Sequence, residues 1–215
     1  MPVIDLEKFR ATPLATDPYD HLIVPGFLRA DAIKQVDDDY PSVSAPGSFP
    51  LSSVRPGPAF DALIAEMSGA EVRAAFAEKF GVDLTGRPLT VTVRGRCQAK
   101  DGRIHTDTES KILTLLIYMN TEWSNDGGRL RVLRSADDLE DYAAEVPPEA
   151  GTLLAFRRSE SSWHGHERFE GDRKVIQLNW VTGEDVVRRE MRRHRISASL
   201  KSLNPFEKSA RGDAA

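Results

Sequence analysis

The chain has 215 residues, 40% hydrophobic and 29% charged, with a formal net charge of -4 at pH 7. That length fills one core with room for a small appendage. No apolar run is long enough to span a bilayer, and the mild acidity gives no reason to expect a nucleic-acid partner. A single cysteine, Cys97, cannot form an internal disulfide, and the start MPVIDLEKFRATPLATD lacks the basic-then-apolar layout of a secretory signal, so the expected location is cytoplasmic.

Residues 1–20 read as a polar lead-in, and His21–Leu28 as a short strand broken at Pro25-Gly26. Ala32, Ile33, Val36 and Tyr40 then stand at helical spacing. The stretch 41–58, with five prolines and two glycines, is a loop that could connect or could cover a site. Phe60, Leu63, Ile64 and Met67 trace the buried stripe of a second helix. Ser68 and Glu71 have capping-box spacing and predict the start of a third, with Val72, Ala75, Phe76 and Phe80 on one side.

From Leu89 the period changes to two. LTVTVRGRCQ puts Val91, Val93 and Cys97 on one face, and Thr90, Thr92, Arg94, Arg96 and Gln98 on the other. KILTLLIYMN is almost continuously apolar, as a strand covered on both faces should be. Further strands are expected at GGRLRVL, GTLLAF, SSWHGHE and KVIQLNWV. A helix-rich part (20–85) followed by a strand-rich core (87–182) predicts an α+β domain built on a sandwich or barrel. Residues 184–215 read as a basic helix or tail facing solvent.

The strand region carries the chemistry. In RIHTDTES, His105 and Asp107 are two apart and project to one side of an extended segment. An imidazole and a carboxylate on one face suit a divalent metal, and two histidines with one carboxylate suit iron(II). Alone, the triplet is weak and fits a surface histidine beside a turn aspartate better than a metal site. A third ligand is available in SWHGH, where period two leaves His164 and His166 facing the same way. Glu170-Gly171-Asp172 predicts a turn, so the histidine strand and RKVIQLNWV form a hairpin that brings Arg173 beside the metal strand. A buried guanidinium there requires an anionic partner, and its fork matches a carboxylate. Alternation points Arg173, Val175, Gln177 and Asn179 inward. On the neighbouring apolar strand, Ile112, Thr114, Leu116, Tyr118 and Asn120 share a face, whose polar groups either line a site or pair with one another.

Taken in order, HTD, LTLLIYMNTEW, GGRLRVL, GTLLAF, SWHG and Arg173 resemble the Fe(II)/2-oxoglutarate-dependent dioxygenases, in particular their prolyl-hydroxylase-like branch. PYDHLIVPGFL resembles that branch's opening segment, so the likeness runs from about Pro18 to Val181. The resemblance implies a double-stranded β-helix, or jelly roll, braced by the N-terminal helices, with residues 1–183 as one oxygenase domain. It assigns His105, Asp107 and His164 to the metal. It prefers His164 over His166 because the family's cosubstrate-binding residue commonly follows the distal histidine by nine positions, where Arg173 stands. Arg173 is then expected on the distal carboxylate of 2-oxoglutarate, with Tyr118 or Thr114 as a second donor and Leu130 against the methylenes. Many relatives carry a serine two positions after the arginine; here it is Val175, which makes Tyr118 and Thr114 more necessary. Asn179 or Gln177 is expected at the metal-bound end of the cosubstrate, and His166 behind the ligands or near the substrate.

The cofactors implied are Fe(II), 2-oxoglutarate and O2, with ascorbate as a supporting reductant. The reaction implied is hydroxylation of a peptidyl, prolyl-like residue or a small molecule, with release of succinate and CO2. Arg94, Arg96 and Gln98 are the candidate substrate contacts, unless their face is a solvated edge. Two rival readings stand beside this one: a non-catalytic jelly roll that binds a metal or ligand, and a cupin-type metalloenzyme that uses no keto acid. No membrane or nucleic-acid partner is expected.

Overall fold

The computed structural model describes residues 2–190 and 192. Four helices precede the main strands: α1 (Leu6–Ala11), α2 (Ala30–Asp38), α3 (Pro58–Met67) and α4 (Ala70–Phe80). The strands are β1 (His21–Val24), β2 (Phe49–Pro50), β3 (Leu89–Cys97), β4 (Lys111–Tyr118), β5 (Leu130–Leu133), β6 (Tyr142–Val146), β7 (Leu153–Arg157), β8 (His164–Gly165) and β9 (Gly171–Val181). They form a six-stranded sheet in the order β1-β7-β4-β9-β3-β2 and a three-stranded sheet in the order β6-β5-β8. Every pairing between these strands is antiparallel.

The large sheet is buried on both faces, and alternation divides its side chains. Leu113, Leu115 and Ile117 of β4, with Ile176, Leu178 and Trp180 of β9, pack toward the helices. There Phe60, Leu63 and Met67 of α3 and Phe76 of α4 are fully buried. Leu116, Tyr118 and Val175 face the other way and join Leu130 and Val132 of β5 in a second cluster between the sheets. The functional cavity opens from that inner layer.

Several details differ from the sequence reading. Ser68 does not cap α4: its hydroxyl donates to the Ile64 carbonyl at 2.7 Å at the end of α3, and Gly69 is the N-cap. The two helices meet too tightly for a capping box, since a Cβ on Gly69 would press on the Glu66 carbonyl oxygen. The lead-in contains α1, capped by Asp5, whose carboxylate accepts from the Lys8 N–H. Its Phe9 is fully buried and stacks on Phe76, with ring centroids 4.1 Å apart.

Two register shifts re-aim side chains. One lies between Lys111 and Leu113 and sends Ile112 to the helix side instead of the Thr114–Tyr118 face. The other, between Arg94 and Arg96, leaves Cys97 buried with its sulfur 3.6 Å from Arg94 Nη1, away from the face of Val93. The proline-rich stretch packs on the sheet edge, where Phe49 and Pro50 pair with Val93 and Thr92. Residues 184–190 are helical; the rest of the expected basic tail, apart from residue 192, lies outside the described residues.

Candidate metal and cosubstrate site

His105 lies just before β4, and β8 is held against it by an isolated bridge. His105 N–H donates to the His164 carbonyl and His164 N–H to the His105 carbonyl, both at 3.0 Å. The imidazole centroids come within 4.3 Å. Candidate ligand atoms of His105, Asp107 and His164 all lie within 4.8 Å of one another. His166 also borders the cavity but stands outside that cluster.

Hydrogen bonds behind the imidazoles decide which nitrogens are free. His105 Nδ1 is 2.8 Å from the Arg103 carbonyl, and His164 Nδ1 is 3.0 Å from the Ser162 carbonyl. A carbonyl only accepts, so each Nδ1 carries the proton and each Nε2 keeps its lone pair for a metal. Burial, partly countered by Asp107, lowers the His164 pKa to about 4, which keeps the ring neutral at physiological pH.

Asp107 is buried and held at both oxygens. Lys111 Nζ donates to Oδ1 at 2.6 Å and Thr114 Oγ1 to Oδ2 at 2.5 Å. Burial would raise this carboxyl, but Lys111, His164 and these hydrogen bonds outweigh it and hold the pKa below the ordinary value. The donor set is therefore two imidazole nitrogens and an ionised carboxylate, which suits iron(II).

A cavity of about 140 Å³ connects this cluster to Arg173. Arg173 is buried, and its Nε donates to the Gly128 carbonyl at 2.8 Å. Its Nη2 and the Tyr118 hydroxyl are both buried without a hydrogen-bond partner. The guanidinium lies over the Tyr118 ring at 5.3 Å, and no carboxylate pairs with it among the described residues. Burial pushes the phenol pKa up, with Arg173 opposing, so Tyr118 is a neutral donor. A buried cation and an unpaired hydroxyl side by side fit one end of a dicarboxylate. Leu116, Leu130 and Val175 line the space between this pair and the metal cluster.

Some expected site residues take other places. Thr114 borders the cavity, but its single hydroxyl proton is committed to Asp107, so it supports that carboxylate and has no proton left for a second acceptor. Asn179 does not line the cavity. Its Oδ1 accepts from Gln177 Nε2 at 3.2 Å and is the alternative acceptor, also at 3.2 Å, for the Thr114 hydroxyl, and its Nδ2 donates to Thr90 Oγ1 at 3.3 Å. Arg96 is carried outward by the register shift and faces the exposed Asp172, while Gln98 engages Asp101 through its backbone N–H; neither borders the cavity. Arg94, Gln177 and His166 do.

The sequence reading also missed contributors. Lys111 follows Asp107 by four residues, but in an extended segment that spacing carries no signal. Gly102, at φ +85°, is required because a Cβ there would run into the His166 ring. Gly128 at φ +80° turns its carbonyl to Arg173.

Residues 96–182 match the family model described as 2OG-Fe(II) oxygenase superfamily. No curated protein matches the sequence. Among solved structures, a Pseudomonas putida prolyl-4-hydroxylase aligns at 18% identity, over 82% of this chain and 88% of that one, with a TM-score of 0.53. HygX from Streptomyces hygroscopicus, solved with iron bound, aligns at 14% identity over 83% and 87%, with a TM-score of 0.53. The viral collagen prolyl hydroxylase vCPH from Paramecium Bursaria Chlorella virus-1, solved as a 2OG complex, aligns at 13% identity over 75% and 96%, with a TM-score of 0.50. At these identities the likeness establishes a shared fold, the double-stranded β-helix.

Proposed function

We propose that this chain, whose residues 96–182 match the 2OG-Fe(II) oxygenase superfamily model, is such an oxygenase, in which His105, Asp107 and His164 hold Fe(II) and Arg173 and Tyr118 anchor 2-oxoglutarate. The observation carrying this is a three-residue N,N,O cluster and an unpartnered guanidinium in one cavity, with the unpartnered Tyr118 phenol, which does not itself line the cavity, beside that guanidinium. The iron and keto acid supply the oxidative chemistry: one atom of O2 enters a substrate C–H bond as a hydroxyl, the other enters succinate, and CO2 leaves.

The protein's own part is positioning. Carbonyls of Arg103 and Ser162 fix the imidazole tautomers, and Lys111 and Thr114 fix Asp107. Arg173 supplies a charge at the distal carboxylate, and Tyr118 a proton-bearing hydroxyl. No side chain is required as a general base. The buried inner layer excludes water around the cosubstrate's methylenes, where Leu130 and Val175 stand. A hydroxylase acting on a peptidyl or small-molecule substrate follows, and the single cysteine suits a reducing, cytoplasmic setting.

The test is anaerobic addition of Fe(II) and 2-oxoglutarate, followed by succinate measurement in air with ascorbate. Wild-type protein should give the visible charge-transfer band of an iron–keto acid complex and then succinate. Asp107→Ala should give neither. Arg173→Ala should bind metal almost normally but lose the keto acid. Metal binding without any keto-acid affinity in the wild type would favour the cupin-type reading instead.

A further inference from the structure

Register arranges the inner face of the large sheet as a grid. Thr114 of β4 pairs with Asn179 of β9, which pairs with Thr90 of β3. The next row is Leu116, Gln177 and Thr92; the one after is Tyr118, Val175 and Arg94. The β4 column serves the metal and the cosubstrate. The β3 column lies two strands away, and its Thr92 and Arg94 border the same cavity, together with Gln177 and with Ser48 just before β2.

The side chains this second wall turns inward are polar; Val93, between Thr92 and Arg94, packs its side chain on the helix side. Arg94 Nη1 donates to Asp101 at 2.6 Å and to the Cys97 sulfur at 3.6 Å, and Nη2 to Ser48 Oγ at 3.3 Å. Those contacts use three of the five guanidinium N–H bonds and hold the group in place. Ser48, accepting from Arg94, keeps its own proton to donate. Gln177 gives its Nε2 to Asn179 and keeps its carbonyl oxygen as an acceptor. Among the described residues no Phe, Tyr or Trp lines the cavity; of its apolar members besides Val93, Leu116, Leu130 and Val175 lie toward the proposed cosubstrate groups. An apolar ring such as a prolyl side chain would leave the polar wall unpaired on binding, at a cost in affinity.

We infer that the substrate is a small polar molecule carrying an anionic group, a carboxylate or a phosphate, received by Arg94 and Ser48 and oriented by Thr92 and Gln177. This rests on the oxygenase reading above and names the substrate class of that site. The oxygen and electron balance is that of the proposed reaction: the substrate loses a C–H bond and gains C–OH, and 2-oxoglutarate is the two-electron co-reductant.

The experiment incubates cell lysate with wild-type, Arg94→Gln or Asp107→Ala protein plus Fe(II), 2-oxoglutarate and air. The small-molecule filtrate and the protein digest are then searched separately by mass spectrometry for gain of one oxygen. Keto-acid affinity of each variant is measured independently from the anaerobic charge-transfer band. The expected result is an oxygenated anion in the wild-type filtrate, whose mass and fragmentation tell carboxylate from phosphate. Arg94→Gln should reduce its formation roughly tenfold or more while 2-oxoglutarate affinity changes less than about twofold. Oxygen gained only on protein, or no oxygenated anion in the filtrate, overturns the proposal. So does an Arg94→Gln loss of keto-acid affinity matching that of Arg173→Ala, which would move Arg94 to the cosubstrate. Failure of the oxygenase reading looks different: no band and no succinate from wild-type protein.

Discussion

His105 and His164 are each other's backbone partner, exchanging two hydrogen bonds of 3.0 Å across 59 positions of sequence. The pairing sets both Cα atoms at a fixed separation before any metal arrives, and the Arg103 and Ser162 carbonyls turn the rings so that both Nε2 atoms converge. His166 sits two residues on, with Nδ1 2.7 Å from the Glu167 carbonyl and its ring packed over Gly102, outside that convergence. His164→Ala should therefore abolish stoichiometric Fe(II) or Mn(II) binding, whereas His166→Ala should weaken it by less than about tenfold. Metal titration followed by calorimetry checks both, and iron lost in His166→Ala but kept in His164→Ala would reverse the assignment.

Thr114 gives Asp107 a 2.5 Å hydrogen bond inside the barrel, and Asn179 stands behind it. A ligating carboxylate that loses such support swings more freely and binds metal less well. Thr114→Val keeps the shape and removes the donor, so metal affinity should fall about 10- to 100-fold. Thr114→Ser restores the hydroxyl and should recover most of it. Equal affinities in the two variants would show that the hydroxyl is only filling space.

How much of this was legible depended on the range of the signal. The H-x-D triplet is a local side-chain pattern, whereas the nine-residue spacing from His164 to Arg173 speaks only through the family resemblance. The hairpin expected between them does not form, since β8 pairs with β5 and β9 with β3 and β4, and the two sheets bring the residues together instead. The division of β4 and β9 between two apolar layers follows from the period of two. The bulges were not visible, because a single extra residue leaves composition unchanged while re-aiming Ile112 and Cys97. α1 is only six residues long, and its one buried side chain, Phe9, shows no periodicity until it meets Phe76. β6 escaped because Ala143 and Ala144 blur the alternation of YAAEV. The roles of Thr114 and Asn179 are contacts across three strands, and no one-dimensional pattern encodes which neighbour a hydroxyl chooses.

Tyr118 offers a test in which stability and binding move in opposite directions. Its buried hydroxyl makes no hydrogen bond within the protein, and a buried polar group left unpaired costs about 1–3 kcal/mol. Tyr118→Phe removes that cost, so without cosubstrate the variant should be as stable as wild type or more so in urea. On the proposed reading the same change takes away a donor to the keto acid's distal carboxylate, and 2-oxoglutarate affinity should fall roughly 5- to 30-fold. A destabilised variant with unchanged keto-acid affinity would place the hydroxyl's partner elsewhere.

The histidines also predict how stability follows pH when metal is chelated. Burial is the main cause that lowers both His164 and His166 to about 4 from an ordinary value of 6.5, with Asp107 partly countering at His164 and the Arg173 charge adding to it at His166. In the unfolded chain both rings take up protons near pH 6.5, but in the folded chain only near pH 4. Between these values the unfolded state binds more protons, so the unfolding free energy rises with pH across the window. The contribution is complete above pH 6.5 and is lost as pH falls toward 4, by a few kcal/mol for the pair. Asp107, held below the ordinary carboxylate value, stays ionised through the window and adds no opposing slope. Urea unfolding in EDTA at a series of pH values should show this decline, and His166→Gln should remove about half of it. A flat profile between pH 6.5 and 4 would mean that both rings are reached by water and titrate alike in the folded and unfolded chains.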